Sequence, residues 1–265
     1  MNAARTVDGD VEAEHLGPVN YHEHLFQATP LLPDDDLDDE PASQREAVRL
    51  RDSGFATMVD ATPLGLGRRP EAIARIARAS SLRIVATTGA HRDEHYPHDH
   101  WIRDLSEAHL AERFIADIAS GMDATAVRAG MLKLGIGYWR ISTFEHRVIA
   151  AVGIAHAATS APVMVHLEFG SAAVEVLDLL REHGVSADAV VLAHIDRNPD
   201  AVLHAELADA GAYLGYDGWA RSRSWPDATL VNCMADAIGR GARDRIVIGG
   251  DVARRSRYIE YGGMP

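Results

Sequence analysis

Five apolar stretches of this 265-residue chain end on side chains able to bind a metal ion. The first, VNYHEH, offers His22 and His24. Residues two apart on a strand point to the same side, so both imidazoles can face one interior while Glu23 points away. Glu23 therefore reads as a supporting residue rather than a ligand. Three later stretches offer His166 in PVMVHLEFG, His194 in VVLAHIDRN and Asp251 in IVIGGDVARR. A lone histidine after a strand is more often a hydrogen-bonded structural residue. Four of them plus an aspartate, nearly all closing apolar runs, point to a metal centre.

The remaining stretch, GMLKLGIGY, places Lys133 in an otherwise apolar run. Burying an unpaired ammonium costs several kcal/mol, so such a lysine either snorkels to water or gives up its charge. Snorkelling is the plainer reading of Lys133 alone. A desolvated lysine, however, has a depressed pKa and a reactive neutral amine. That amine can take up carbon dioxide to become a carbamate, a carboxylate-like group able to bridge two metal ions.

The elements that must carry these residues alternate. Strand-like runs cover residues 19–24, 57–61, 84–89, 130–134, 163–166, 190–194, 212–216 and 246–251. Helical periodicity covers 44–53, 70–80, 107–120, 143–159, 172–183, 201–210 and 228–239. Thr143 with Glu145 starts one helix, Pro199-Asp200 opens another, and Gly184, Gly211 and Gly241 follow helix ends. Buried, non-alternating strands separated by helices indicate parallel βα units. Eight of them predict an α/β fold of the (β/α)8 TIM-barrel type, as one domain across residues 1–265. A doubly wound open sheet is the alternative, without the glycine fingerprint of dinucleotide binding. Pro265 leaves little room for a full eighth helix, and an uncovered strand pair would favour association, a second copy of the chain being one candidate.

Composition narrows the partners. The chain is 47% hydrophobic and 25% charged, with a net charge of −13 that argues against nucleic acid. No apolar run approaches a membrane span and the N-terminus lacks a signal-peptide core. Cys233 is the only cysteine, which excludes internal disulfides and suggests a cytoplasmic setting. The acidic run 34–40 reads as a solvated loop. Asp60 is expected to shape the pocket or the next helix start. The histidine-rich segment AHRDEHYPHDHW, with His91, His95, His98 and His100, reads as a loop over the barrel mouth rather than a second metal site.

The ordered set TVDGDVEAEHLGPVNYHEHLF, the lysine segment, EHRVIAAVGIAHAATSAPVMVHLEFG, LAHIDRN and GGDVARRSRYIEYGG resembles the phosphotriesterase-like family of the amidohydrolase superfamily. The resemblance implies that His22, His24 and Asp251 hold a more buried metal, and His166 and His194 a more exposed one. Carboxylated Lys133 would bridge the two together with a hydroxide. Imidazole and carboxylate suit two zinc ions, with cobalt or manganese also fitting. Asp251 would accept the proton of the attacking hydroxide.

GIGYW after the lysine, LAHIDRN, and YDGWARSRSWPD after the seventh strand look like the sugar-phosphate lactonase branch. The expected substrate is a small molecule, a phosphorylated sugar lactone. Arg221, Arg223, Arg254 and Arg255 are candidates to hold its phosphate, with Tyr138 adding a hydroxyl. That branch often has lysines and a tyrosine where this chain has Arg221, Arg223 and Ser224. Organophosphate or acyl-homoserine-lactone hydrolysis within the same family is the first alternative. A deoxyribonuclease or deaminase of the same fold is another, although the nuclease family is similar with glutamate at the bridging position. A non-catalytic metal-binding barrel with a docking partner is the third.

Overall fold

The computed structural model describes residues 3–264. The described residues begin with a hairpin that the strand and helix periodicities do not announce, β1 (Ala3–Thr6) antiparallel to β2 (Gly9–Glu12). Its sequence signal is the Asp8-Gly9 turn, where Gly9 adopts a φ of +131°. The hairpin is tied to the barrel by Val7 N donating to Ile84 O, and by Arg5 donating to Ile118 O.

Eight βα repeats follow, the last without its helix among the described residues. In chain order they are β3 (Val19–Glu23), α1 (Glu40–Asp52), β4 (Thr57–Asp60), α2 (Pro70–Ser80), β5 (Arg83–Gly89), α3 (Glu107–Ala119), β6 (Met131–Ile136) and α4 (Thr143–Thr159). Then come β7 (Val163–Leu167), α5 (Ala173–Glu182), β8 (Val190–Ala193), α6 (Ala201–Asp209), β9 (Tyr213–Tyr216), α7 (Asp227–Ala237) and β10 (Ile246–Ile248). The strands pair in parallel in sequence order from β3 to β10. The two ends of this sheet meet just beyond β10, where Gly250 N and Asp251 N donate to His22 O at 3.3 and 2.9 Å. This is the expected TIM barrel, nearly closed.

Glu23 seals that seam. Its carboxyl accepts from Val252 N and Asn20 Nδ2, both at 2.9 Å. A side chain at Gly250 would collide with Glu23 Oε1, so only glycine lets the last strand approach this closely. Glu23 is thus a supporting residue, as its alternation with the two histidines implied.

Strands β6 and β7 are almost wholly buried because helices cover one face and the barrel interior takes the other. Met131 and Met164 share their strand faces with Lys133 and His166 and pack with Tyr21, Val59, Val85, Val191 and Val247. That cluster floors the site.

Helix starts follow their caps. A reciprocal capping box, Ser142 with Glu145, opens α4 one residue before the expected Thr143. Asp200 caps α6. The acidic run is not simply solvated: Asp39 caps α1, which starts at Glu40 rather than at 44, and Asp35 accepts from Ser256 N and Oγ at 2.7 and 2.9 Å.

After β10 the chain makes two short turns, Arg255–Arg257 and Ile259–Tyr261. The second is fastened to α1 by Arg45 Nε to Glu260 at 2.6 Å and by Tyr261 to Ser43 at 2.7 Å. Ile248 on β10 remains 45% exposed on this flank. Among the described residues, no helix is long and apolar enough to cross a membrane.

Candidate metal centre

The six side chains singled out as ligands come from five strands and meet at one end of the barrel. His22 and His24 follow from β3, Lys133 from β6, His166 from β7, His194 from the residue after β8 and Asp251 from beyond β10. All are buried. Lys133 Nζ lies 3.1 Å from His22 Nε2, and His194 Nε2 lies 2.8 Å from His166 Nδ1. Asp251 Oδ1 lies 3.4 Å from His22 Nε2 and 3.6 Å from His24 Nε2. His22, His24 and Asp251 bring one donor atom each within 4.8 Å of one another, and so do His22, His194 and Asp217.

Two of these positions are strained. His194 and Asp251 have φ of 65° and 47°, left-handed values that cost a non-glycine residue roughly 1–2 kcal/mol. The turn at each strand end places the side chain in the ligand cluster, and the surrounding packing holds it there.

Each imidazole is aimed by what its other nitrogen binds. His22 Nδ1 and His194 Nδ1 face Asp217 Oδ2 and Oδ1 at 3.3 and 2.7 Å. His24 Nδ1 faces Thr62 Oγ1 at 2.7 Å. These three therefore present Nε2 to the centre. His166 is reversed, with Nε2 bound to Glu168 at 2.9 Å, and presents Nδ1. Such partners fix the tautomer and orient the ligand.

The protonation states suit a cation. Burial lowers His22 and His194 to about 4 and pushes His24 and His166 down as well, so the rings are neutral donors at pH 7. Burial also lowers Lys133 to about 8. For Asp251 burial opposes ionisation, but His194, Arg221 and His22 outweigh it and hold the group well below the usual carboxylate range. Neutral imidazoles, an ionised carboxylate and a poised lysine are a donor set that fits two divalent cations.

Asp217 was not singled out in the sequence, although Tyr-Asp-Gly directly after β9 carried it. Its carboxylate bridges two of the histidines and also accepts from the Tyr21 hydroxyl. Glu168 and Thr62 were missed as well, since a carboxylate or hydroxyl that orients a histidine has no fixed spacing from it. Arg197 appeared only as part of the Asp-Arg-Asn motif. Here its Nη2 donates to Asp251 Oδ2 at 2.8 Å, and Arg221 Nη2 meets the same oxygen at 2.8 Å.

The candidate substrate residues divide. Arg221 reaches the centre. Tyr138, 60% exposed, packs edge-on against Phe169 and lines a cavity of about 390 Å3 with Trp139, Ser171, Asn198 and Arg197. Arg223, Arg254 and Arg255 are exposed, Arg255 lying over the Tyr261 ring. Asp60 accepts from Leu25 N and Thr62 N, both at 3.1 Å, so it fastens backbone near His24 rather than starting the next helix. The histidine-rich segment is not only a covering loop: His91 and His95 are buried, and the His91 ring centroid lies 4.5 Å from that of His166.

Comparison with known proteins agrees with this geometry. Residues 2–265 match the Phosphotriesterase family. A phospho-furanose lactonase of Mycoplasmopsis synoviae is 26% identical over 98% of this chain and 79% of its own. The crystal structure of a lactonase from Listeria monocytogenes superposes with a TM-score of 0.92 at 30% identity, covering 98% of this chain and 85% of that one. The phosphotriesterase homology protein of Escherichia coli, solved with phosphate in its active site, superposes with a TM-score of 0.88 at 26% identity over 94% and 87% of the two chains. The chain belongs to the Phosphotriesterase family and is a hydrolase acting on ester bonds.

Proposed function

We propose that this hydrolase opens the ring ester of a phosphorylated sugar lactone. The observation that carries the reading is the meeting of Arg197 and Arg221 at the outer oxygen of Asp251, two guanidinium groups beside the ligand cluster. Guanidinium forks match the oxygens of a phosphate and bind it more tightly than a neutral group. A lactonase named for a phospho-furanose and a relative holding phosphate in its active site support the same substrate class.

His22, His24 and Asp251 would hold one divalent cation, His166 and His194 a second, with carboxylated Lys133 shared between them. Zinc suits these donors, and cobalt or manganese would also fit. When bound, such ions make hydroxide available near neutral pH and polarise the ester carbonyl. Asp251, ionised, accepts the proton of the attacking water and returns it to the departing ring oxygen. Arg221, beside Arg197, holds the distal phosphate. Tyr138 borders the cavity through which the sugar enters.

The test is a lactone panel with and without a phosphate group, together with acyl-homoserine lactones and a phosphotriester, on metal-loaded protein. Phosphorylated lactones should exceed their neutral counterparts in kcat/KM by about 100-fold, and Arg221→Ala should erase most of that ratio. Equal turnover of neutral lactones, or faster turnover of the phosphotriester, would contradict the reading.

A further inference from the structure

The two buried histidines of the loop after β5 have no part in the ligand set. His91 directly follows the loop's first residue, and its fold is dictated by β6: a side chain at Gly135 would lie 3.0 Å from His91 Nδ1 and 2.7 Å from Arg92 N. Gly135 sits two residues beyond Lys133 on the same strand face, so the bare backbone there seats His91 one layer above the lysine. The His91 ring centroid is 4.5 Å from His166 and 3.8 Å from His95.

The tautomer of His91 is fixed. Arg92 N donates to His91 Nδ1 at 2.8 Å, which leaves the ring hydrogen on Nε2. His95 is held by Thr29 at 2.9 Å and packs against the His91 ring. Among the described residues, no protein acceptor is assigned to His91 Nε2.

We propose that His91 donates its Nε2–H to the leaving oxygen of the ester, and that His95 is the positioning residue behind it. The proposal rests on the ester-hydrolase reading of the same site. As the acyl C–O bond breaks, the electron pair goes to the ring oxygen and negative charge grows there. The His91 N–H stabilises that charge without transferring its proton; the proton that finally reaches the oxygen is the one Asp251 took from water. A donor aimed at developing charge is worth more the poorer the leaving group.

The experiment compares γ-valerolactone, whose leaving group is an alkoxide, with 4-nitrophenyl acetate, whose leaving group needs little help. Metal content is measured on every sample. His91→Phe keeps a ring against His95 but loses the donor, and should lower kcat on the lactone about 100-fold and on the nitrophenyl ester less than about 3-fold, with metal content unchanged. His91→Gln retains an N–H and should keep the lactone rate within about ten-fold of the parent. An equal effect on both esters, no effect on either, or a loss in His91→Gln as large as in His91→Phe would overturn the role of His91. A parent that holds metal and hydrolyses no ester would instead overturn the ester reading, and this inference with it.

Discussion

Lys133 and His22 approach within 3.1 Å of each other, Nζ to Nε2, from strands three apart in the barrel. An ammonium would repel a cation held by His22. The pair therefore makes sense with Lys133 neutral or carboxylated, and burial already lowers its pKa to about 8. Below pH 8 the neutral fraction falls about tenfold per unit. At fixed dissolved carbon dioxide, zinc loading of the metal-free protein should slow by about that factor from pH 7 to pH 6. A loading rate independent of pH would contradict a reactive Lys133 amine.

The same shift has a sign for stability. Lys133 titrates near 8 when folded and near its ordinary 10.5 when unfolded, so the unfolded chain binds the extra proton in that window. The contribution of Lys133 to the metal-free protein's stability should rise from pH 8 to 10.5. Denaturant titrations of the parent and Lys133→Met should diverge in that direction, and parallel curves would refute it.

Asp217 holds Nδ1 of both His22 and His194, so one substitution loosens ligands on both sides of the centre. Asp217→Asn should weaken metal affinity by roughly 10–100-fold while leaving the barrel folded. Competition against a coloured chelator measures it. Unchanged affinity would mean that Asp217 is only a core acid.

Away from the site, Arg68 joins Asp117 and Asp123 at 2.7 and 2.9 Å, and both Arg68 and Asp117 are almost fully buried. Removing the guanidinium leaves the buried Asp117 carboxylate with Thr88 and Arg113 as its remaining partners, and breaking such a buried pair costs about 3–5 kcal/mol. Arg68→Ala should show that loss in urea unfolding. A loss below about 1 kcal/mol would place the cluster effectively in water.

Much of the barrel was legible because each βα unit declares itself locally. Residues 143–159 and 70–80 have the same bounds by periodicity and in the structure. The ligand types were legible for a related reason: they sit at the ends of apolar runs, where a polar residue is conspicuous. What was not legible acts across the chain. Asp217 supports His22 from 195 positions away, and nothing in a linear pattern marks that distance. The β1–β2 hairpin escaped because four-residue strands carry too little alternation to stand out, with only Asp8-Gly9 to announce it. The seating of His91 depends on the absence of a side chain at Gly135, a packing fact that residue types alone do not reveal.

Elemental analysis counts the ions of the proposed two-metal centre joined through Lys133. Protein prepared with zinc and bicarbonate should carry about two metal ions per chain, and Lys133→Ala should lose at least one of them. Equal metal content in parent and variant, or no more than one ion in both, would contradict the shared role of Lys133 and leave a mononuclear barrel.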